Sequence, residues 1–272
     1  MMTDVSPFKV REPTANEVRV VVSIPHTGTY VPGDIAANFA SDSIRALPMT
    51  DWHLHHLYDF LPRLGVTTLY ATWSRFVADL NRPPRDQPLY PGRFETGIVA
   101  DKTFWGDAIW KQSPDAAEVG RRKRLVHEPY HDKLAELLEA KRKRFGRIVL
   151  IDAHSVASRA SLLHGELEKD IYLGNRDGRS SDNWLIDHVA EQFRGADLKV
   201  SYNDPYKGGY ITDHYGQIDG IEALQIEMCE RLYMDEDNPQ AALSNPKFEK
   251  MRGVLRDLFA SLLLRVEEKI GG

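Results

Sequence analysis

Thiol chemistry is almost absent from the chain. Cys229 is the single cysteine among 272 residues, which excludes an internal disulfide, a zinc ribbon and a CxxC redox site. No apolar run approaches the roughly 20 residues that cross a bilayer, and the opening MMTDVSPFKVREPTANE has no signal-peptide core. A cytoplasmic location without a membrane partner is therefore expected. Positive charge is not in excess either. The 35 Lys and Arg against 40 Asp and Glu leave a net charge of −5, so no nucleic-acid partner is expected. Also missing are GxGxxG opening a helix after a strand, GxxxxGK[ST] and GxSxG. A dinucleotide fold, a P-loop and an α/β-hydrolase serine lose their usual marks.

What is present describes a globular protein, 42% hydrophobic and 28% charged. Val18–Ile24 is a short β-branched run that stops at Pro25, which predicts a buried strand with His26 at its mouth. Val66–Ala71, Arg147–Ala153, Leu198–Ser201 and Ile221–Met228 read as further strands. Ser41 is placed to cap a helix reaching about Leu64, where Gly65 stops it. Helices are also expected over Ile98–Trp110, from Pro114 to Phe145 with a bend at Pro129, over Trp184–Phe193 and over Pro246–Ile270. Residues 81–97 and 203–220, rich in Pro, Gly and Arg, read as irregular. Strands alternating with helices predict one three-layer α/β domain over residues 1–272, a central mixed sheet flanked by helices.

The informative anomalies are polar residues at strand ends, where open α/β sheets place their ligands. His26 follows the first strand. Alternation puts Asp152 and His154 on one face of Ile148–His154, and Gln225 with Glu227 on one face of Ile221–Met228. Two distant histidines at strand ends suit a mononuclear zinc site, with Asp51 or His55 as third ligand and Asp152 orienting an imidazole from behind. His53 and His56 read as packing or surface residues, and Cys229 as a core thiol. Arg75, Arg82, Arg85 and Arg93 surround an irregular segment of an acidic chain, which suggests a small anionic substrate held by guanidinium forks. The basic clusters 121–124 and 141–144 read as a solvated helix face.

A run of motifs resembles the N-formylglutamate amidohydrolases. It comprises SIPHTG at 23–28, SRFVADLNR at 74–82, DAHS at 152–155, NDPYKGGYI at 203–211, YG at 215–216, ALQIE at 223–227 and LYMDE at 232–236. The resemblance implies a fold similar to the zinc carboxypeptidases and phosphorylase/hydrolase-like proteins. It further implies Zn2+-dependent hydrolysis of an N-acyl acidic amino acid, N-formyl-L-glutamate above all. Carried onto this sequence, His26 and His154 would hold the metal, Asp51 staying the candidate third ligand read from the residues, and Glu227 would be the general base. Arg82 would polarise the carbonyl, while Arg75, Asn81, Arg82, Arg93, Gly209 and Tyr215 would contact substrate. The carboxypeptidase HxxE pattern is broken, because Thr29 stands where its Glu would be. A related N-acyl amino acid hydrolase, a carboxypeptidase-like peptidase or a non-catalytic dicarboxylate binder would share these features, and the oligomeric state is left open.

Overall fold

A computed structural model describes residues 5–85, 87 and 95–271. Along the chain run β1 (Phe8–Arg11), β2 (Val20–Ile24), α1 (Gly33–Ala36), α2 (Asp42–Arg45), α3 (Leu54–Leu57), β3 (Thr67–Ala71), α4 (Ala116–Arg122) and α5 (Glu128–Phe145). Then follow β4 (Ile148–Val156), β5 (Ile171–Gly174), α6 (Asn183–Gly195), β6 (Val200–Tyr202), α7 (Tyr210–Tyr215), β7 (Ile221–Cys229) and α8 (Pro246–Ile270). The strands form one sheet in the order β1-β3-β2-β4-β7-β5-β6. Its centre, β3, β2, β4 and β7, is parallel, while β1 and β5 pair antiparallel to β3 and β7. The sheet is therefore mixed, with α5 and α7 on one face and α6 and α8 on the other, in three layers.

Near-continuous apolar runs explain the centre. Every residue of β2 and β7 is buried, as is β4 up to its last residue, the pattern of strands covered on both faces. From β2 the chain passes to β3 on one side and then to β4 on the other. The order reverses at β2, so the crevice at the carboxyl ends of β2 and β4 is the topological switch point. At the opposite end, buried Arg19 donates to the carbonyls of Phe145 and Ile270 at 2.8 and 2.9 Å and of Arg147 at 3.2 Å. It thereby ties the ends of α5 and α8 to β2.

Two expected helices do not form as such. The stretch Ser41–Leu64 breaks into α2, α3 and a 3-10 turn at Leu61–Leu64. Leu47 and His53 take left-handed φ values of 54 and 59°, and Pro48 follows the first. Ile98–Trp110 is irregular: Gly106 has φ 94°, and Thr103 Oγ1 accepts the N–H groups of Trp105 and Asp107 that a helix would need. From Ala116 to Phe145 the helix is continuous through a π turn at Lys123–His127, just before Pro129. The basic face is only partly solvated. Arg122 is buried over Trp110 at 4.4 Å, and Lys141 donates to Val18 O at 2.6 Å. No helix of the described residues is long and apolar enough to cross a membrane.

Candidate active site

The break in the expected helix is what delivers Asp51. Its N–H donates to His26 O at 3.1 Å, pinning the irregular segment against the end of β2. His26 follows β2, and His154 lies near the end of adjacent β4. One ligand atom from each of His26, Asp51 and His154 falls within 4.8 Å of the others, and all three residues are buried. Asp51 Oδ2 stands 4.0 Å from His26 Nδ1 and 3.4 Å from His154 Nδ1, and accepts Ser155 N–H at 3.0 Å. His55 is elsewhere, its Nδ1 2.7 Å from Thr27 Oγ1 and its ring stacked on Tyr70. Of the two alternatives for third ligand, Asp51 is the one that joins the histidines.

Both imidazoles are backed by a carboxylate on the far nitrogen. His26 Nε2–H donates to Asp79 Oδ1 at 2.7 Å, and His154 Nε2 lies 3.1 Å from Asp152 Oδ1. Asp79 also accepts Asn81 N–H at 2.9 Å and Arg75 Nη2–H at 2.6 Å. Burial opposes its charge, but Arg75 and His26 outweigh that and hold the carboxyl well below its usual range. Burial and the Arg75 charge lower His26, which keeps its ring neutral. Burial would lower His154 too, yet Asp152, Asp51 and Glu227 raise it well above the ordinary value. The carboxylates thus favour positive charge at His154, a proton in the metal-free pocket or, in its place on Nδ1, a cation. Two Nδ1 atoms, one carboxylate oxygen and a carboxylate behind each ring fit a divalent transition ion.

Glu227 stands beside this cluster because β4 and β7 are in register: His154 pairs with Glu227, and Asp152 with Gln225. Gln225 Nε2–H donates to Glu227 Oε2 at 2.9 Å while its Oε1 accepts Gly209 N–H at 2.8 Å, so the carboxamide has one orientation. Burial pushes Glu227 up to about 8, against the pull of His154. Asn81 is held with equal definition. Its Oδ1 accepts Ile211 N–H at 2.8 Å, and its Nδ2 lies 3.0 Å from His154 Nε2 and 3.4 Å from Asp152 Oδ2. A side chain at Gly209 would put its Cβ 2.3 Å from Asn81 Nδ2, so only glycine fits there.

These groups line a cavity of about 830 Å³ including its mouth. His26, Asp51, His154, Glu227, Arg75, Asn81, Arg82 and Gly209 all contribute, with Phe104, Val156, Leu163 and Tyr206 as apolar wall. Arg75 Nε is buried without a hydrogen-bond partner, whereas Arg82 donates to Thr96 O, Thr96 Oγ1 and Asn81 O. Tyr215 is not among the lining residues; its hydroxyl lies against His131. Arg85 is exposed, and Arg93 falls outside the described residues. Sequence reasoning missed Tyr206, whose hydroxyl is buried with no partner and whose acidity is suppressed by burial and by Glu227. The only local signal was its place beside Gly208-Gly209 in the irregular 203–220 segment. It also missed Asp79 as the partner of His26, although an Asp following the apolar Phe76-Val77-Ala78 is the kind of interruption that marked the other sites.

The N-formylglutamate amidohydrolase family model matches residues 18–234. The chain is 38% identical to the N-formylglutamate deformylase of Pseudomonas aeruginosa over 250 residues, 90% of this chain and 93% of that protein. It is 35% identical to the Pseudomonas putida N-formylglutamate deformylase, covering 89% and 92%. Among solved structures, an N-formylglutamate amidohydrolase from Ralstonia eutropha superposes with a TM-score of 0.79 at 27% identity, over 98% of this chain and 99% of that one. The gene product Atu2144 of Agrobacterium tumefaciens shares the fold, with a TM-score of 0.70 at 23% identity and 97% coverage of both. This chain belongs to the N-formylglutamate amidohydrolase family.

Proposed function

We propose that the protein hydrolyses the amide of N-formyl-L-glutamate to formate and L-glutamate, with Zn2+ held by His26 Nδ1, His154 Nδ1 and Asp51. The observation that carries this is the placement of the Glu227 carboxyl in the same cavity as a buried His-Asp-His cluster. When bound, the metal supplies Lewis acidity that acidifies water and polarises an amide oxygen. The chain's residues do the rest. Glu227, fixed through one oxygen by Gln225, takes a proton from the attacking water and returns it to the amide nitrogen as the C–N bond breaks. Arg75, whose Nε–H has no partner among the described residues, and Arg82 provide positive charge for the substrate carboxylates and for the developing oxyanion. Phe104, Val156 and Leu163 exclude water, which strengthens those contacts.

The test is hydrolysis of a panel of N-formyl and N-acyl amino acids by purified protein, with and without chelator and with zinc added back. Formate release that favours acidic side chains, is lost on chelation and returns with zinc supports the proposal. Equal rates on neutral side chains would remove the two-carboxylate assignment. Undiminished rates in chelator would remove the metal.

A further inference from the structure

Two histidines outside the His-Asp-His cluster, His127 buried and His131 half-buried, are directed at one short segment of backbone. His127 ends the π turn and His131 lies one turn into α5. Their Nε2 atoms stand 2.9 Å from Arg82 O and 2.8 Å from Leu80 O, gripping the chain on either side of Asn81. The rings are 4.4 Å apart, with Tyr210 against both at 6.2 and 5.2 Å. Burial lowers both imidazoles, His131 to about 3, so each is neutral with one N–H to place. A carbonyl only accepts, which puts that proton on Nε2 in each ring. His131 Nδ1 then carries no proton, and the Tyr215 hydroxyl lies 3.1 Å from both that nitrogen and His131 O, its one O–H serving either acceptor. Tyr215 thus enters the same assembly instead of the cavity.

Asn81 is the group this grip controls. Its carboxamide bridges the first turn of α7, through Ile211 N–H, to Asp152, whose Oδ2 accepts from Asn81 Nδ2 at 3.4 Å beside His154. Its own hydrogen bonds set the rotation of this two-carbon side chain, and the position of its backbone sets whether it can reach both ends at once. We propose that His127 and His131 are positioning residues: their clamp on the Leu80 and Arg82 carbonyls fixes the Asn81 carboxamide and, through it, the pairing of Asp152 with His154. The kinetic consequence rests on the amidohydrolase reading; the contacts do not.

Two substitutions separate donor from bulk. His131→Phe keeps the aromatic volume and removes the N–H, whereas His131→Gln carries an amide N–H to the Nε2 position. The expected result is a tenfold or greater loss of kcat/KM on N-formylglutamate in His131→Phe and recovery to within threefold of wild type in His131→Gln. Combined with Asn81→Ala, the phenylalanine variant should be no slower than Asn81→Ala alone. Additive losses would overturn the proposal, as would equal activity of the two His131 variants. Should His131→Phe fail to fold, His131→Asn, which withdraws the donor from the carbonyl, replaces it in each comparison. Independently of turnover, the Asn81 side-chain amide signals in NMR spectra of the whole protein should shift or broaden in His131→Phe and hold in His131→Gln. Unmoved Asn81 signals in the phenylalanine variant would overturn the clamp whatever the protein hydrolyses. Moved signals in a protein whose wild type hydrolyses no N-acyl amino acid would support the clamp and overturn the amidohydrolase reading.

Discussion

At the residue scale, the work of the cavity depends on which oxygen of which carboxylate is free. Asp79 has its oxygens occupied by His26, Asn81 and Arg75, so it orients and neutralises and has no capacity left for proton transfer. Glu227 has one oxygen bonded to Gln225 and a pKa near 8 from burial, which makes it the carboxylate able to carry a proton at neutral pH. Glu227→Gln should lower kcat by about 10²–10⁴-fold while leaving metal content unchanged, checked by turnover and by metal analysis of the same sample. The pH dependence has a definite sign. A base works only when ionised, so kcat/KM should rise with pH on the acid side. A cation at the His-Asp-His cluster would draw the pKa of Glu227 down, so with metal supplied the plateau should begin below about pH 8. Gln225→Met keeps the shape and removes the N–H that stabilises the ionised form. The acid limb should then move to higher pH, read from parallel pH–rate profiles.

Elements decide which residues meet. The run Val18–Ile24 and the nearly unbroken apolar stretches of β4 and β7 are legible because burial on both faces leaves no competing pattern, and the interruptions at Asp152, His154 and Glu227 are legible for the same reason. Pro246–Ile270 carries its own start signal in Asn245, whose Oδ1 accepts Lys247 N–H at 3.0 Å. What could not be read is equally physical. β1 and β5 have four residues each, too few for a period to register, and β1 is half-buried at the sheet edge. Pro48 marks the break at Leu47 in the sequence, whereas His53 is a left-handed turn at a residue other than glycine, of which composition gives no sign, and Asp51 reaches the two histidines through these breaks. α7 hides within a glycine-rich stretch and borrows Asn81 for one of its N–H groups. The far end of the sheet offers a control. Arg19→Ala takes the guanidinium from the Phe145, Arg147 and Ile270 carbonyls, of which Phe145 O keeps the Arg147 N–H, a loss of about 2–3 kcal/mol. A thermal melt should show the drop, and kcat/KM at 25 °C should be unaltered because Arg19 lies at the other end of β2.

Over the whole molecule, the cavity concentrates charge that an isolated fold would rather avoid. Asp51, Asp79, Asp152 and Glu227 are all nearly or fully buried around the imidazoles and Arg75. A cation held in the native state and not in the unfolded chain adds about 2.7 kcal/mol when present at a hundred times its Kd. The melting temperature should therefore rise by roughly 5 °C or more on zinc addition to metal-free protein. His26→Ala should abolish that increment, and a shift that survives it would place the ion elsewhere. The match of β4 to β7, residue by residue from Ile148–Ile221 to Val156–Cys229, also bears on how such a gene can vary in length. Side chains alternate between faces, so gaining or losing a single codon within either strand would turn its reactive groups toward α6 and α8 and bring aliphatic ones into the cavity. The two central strands thus tolerate exchange of letters but not a change in their number.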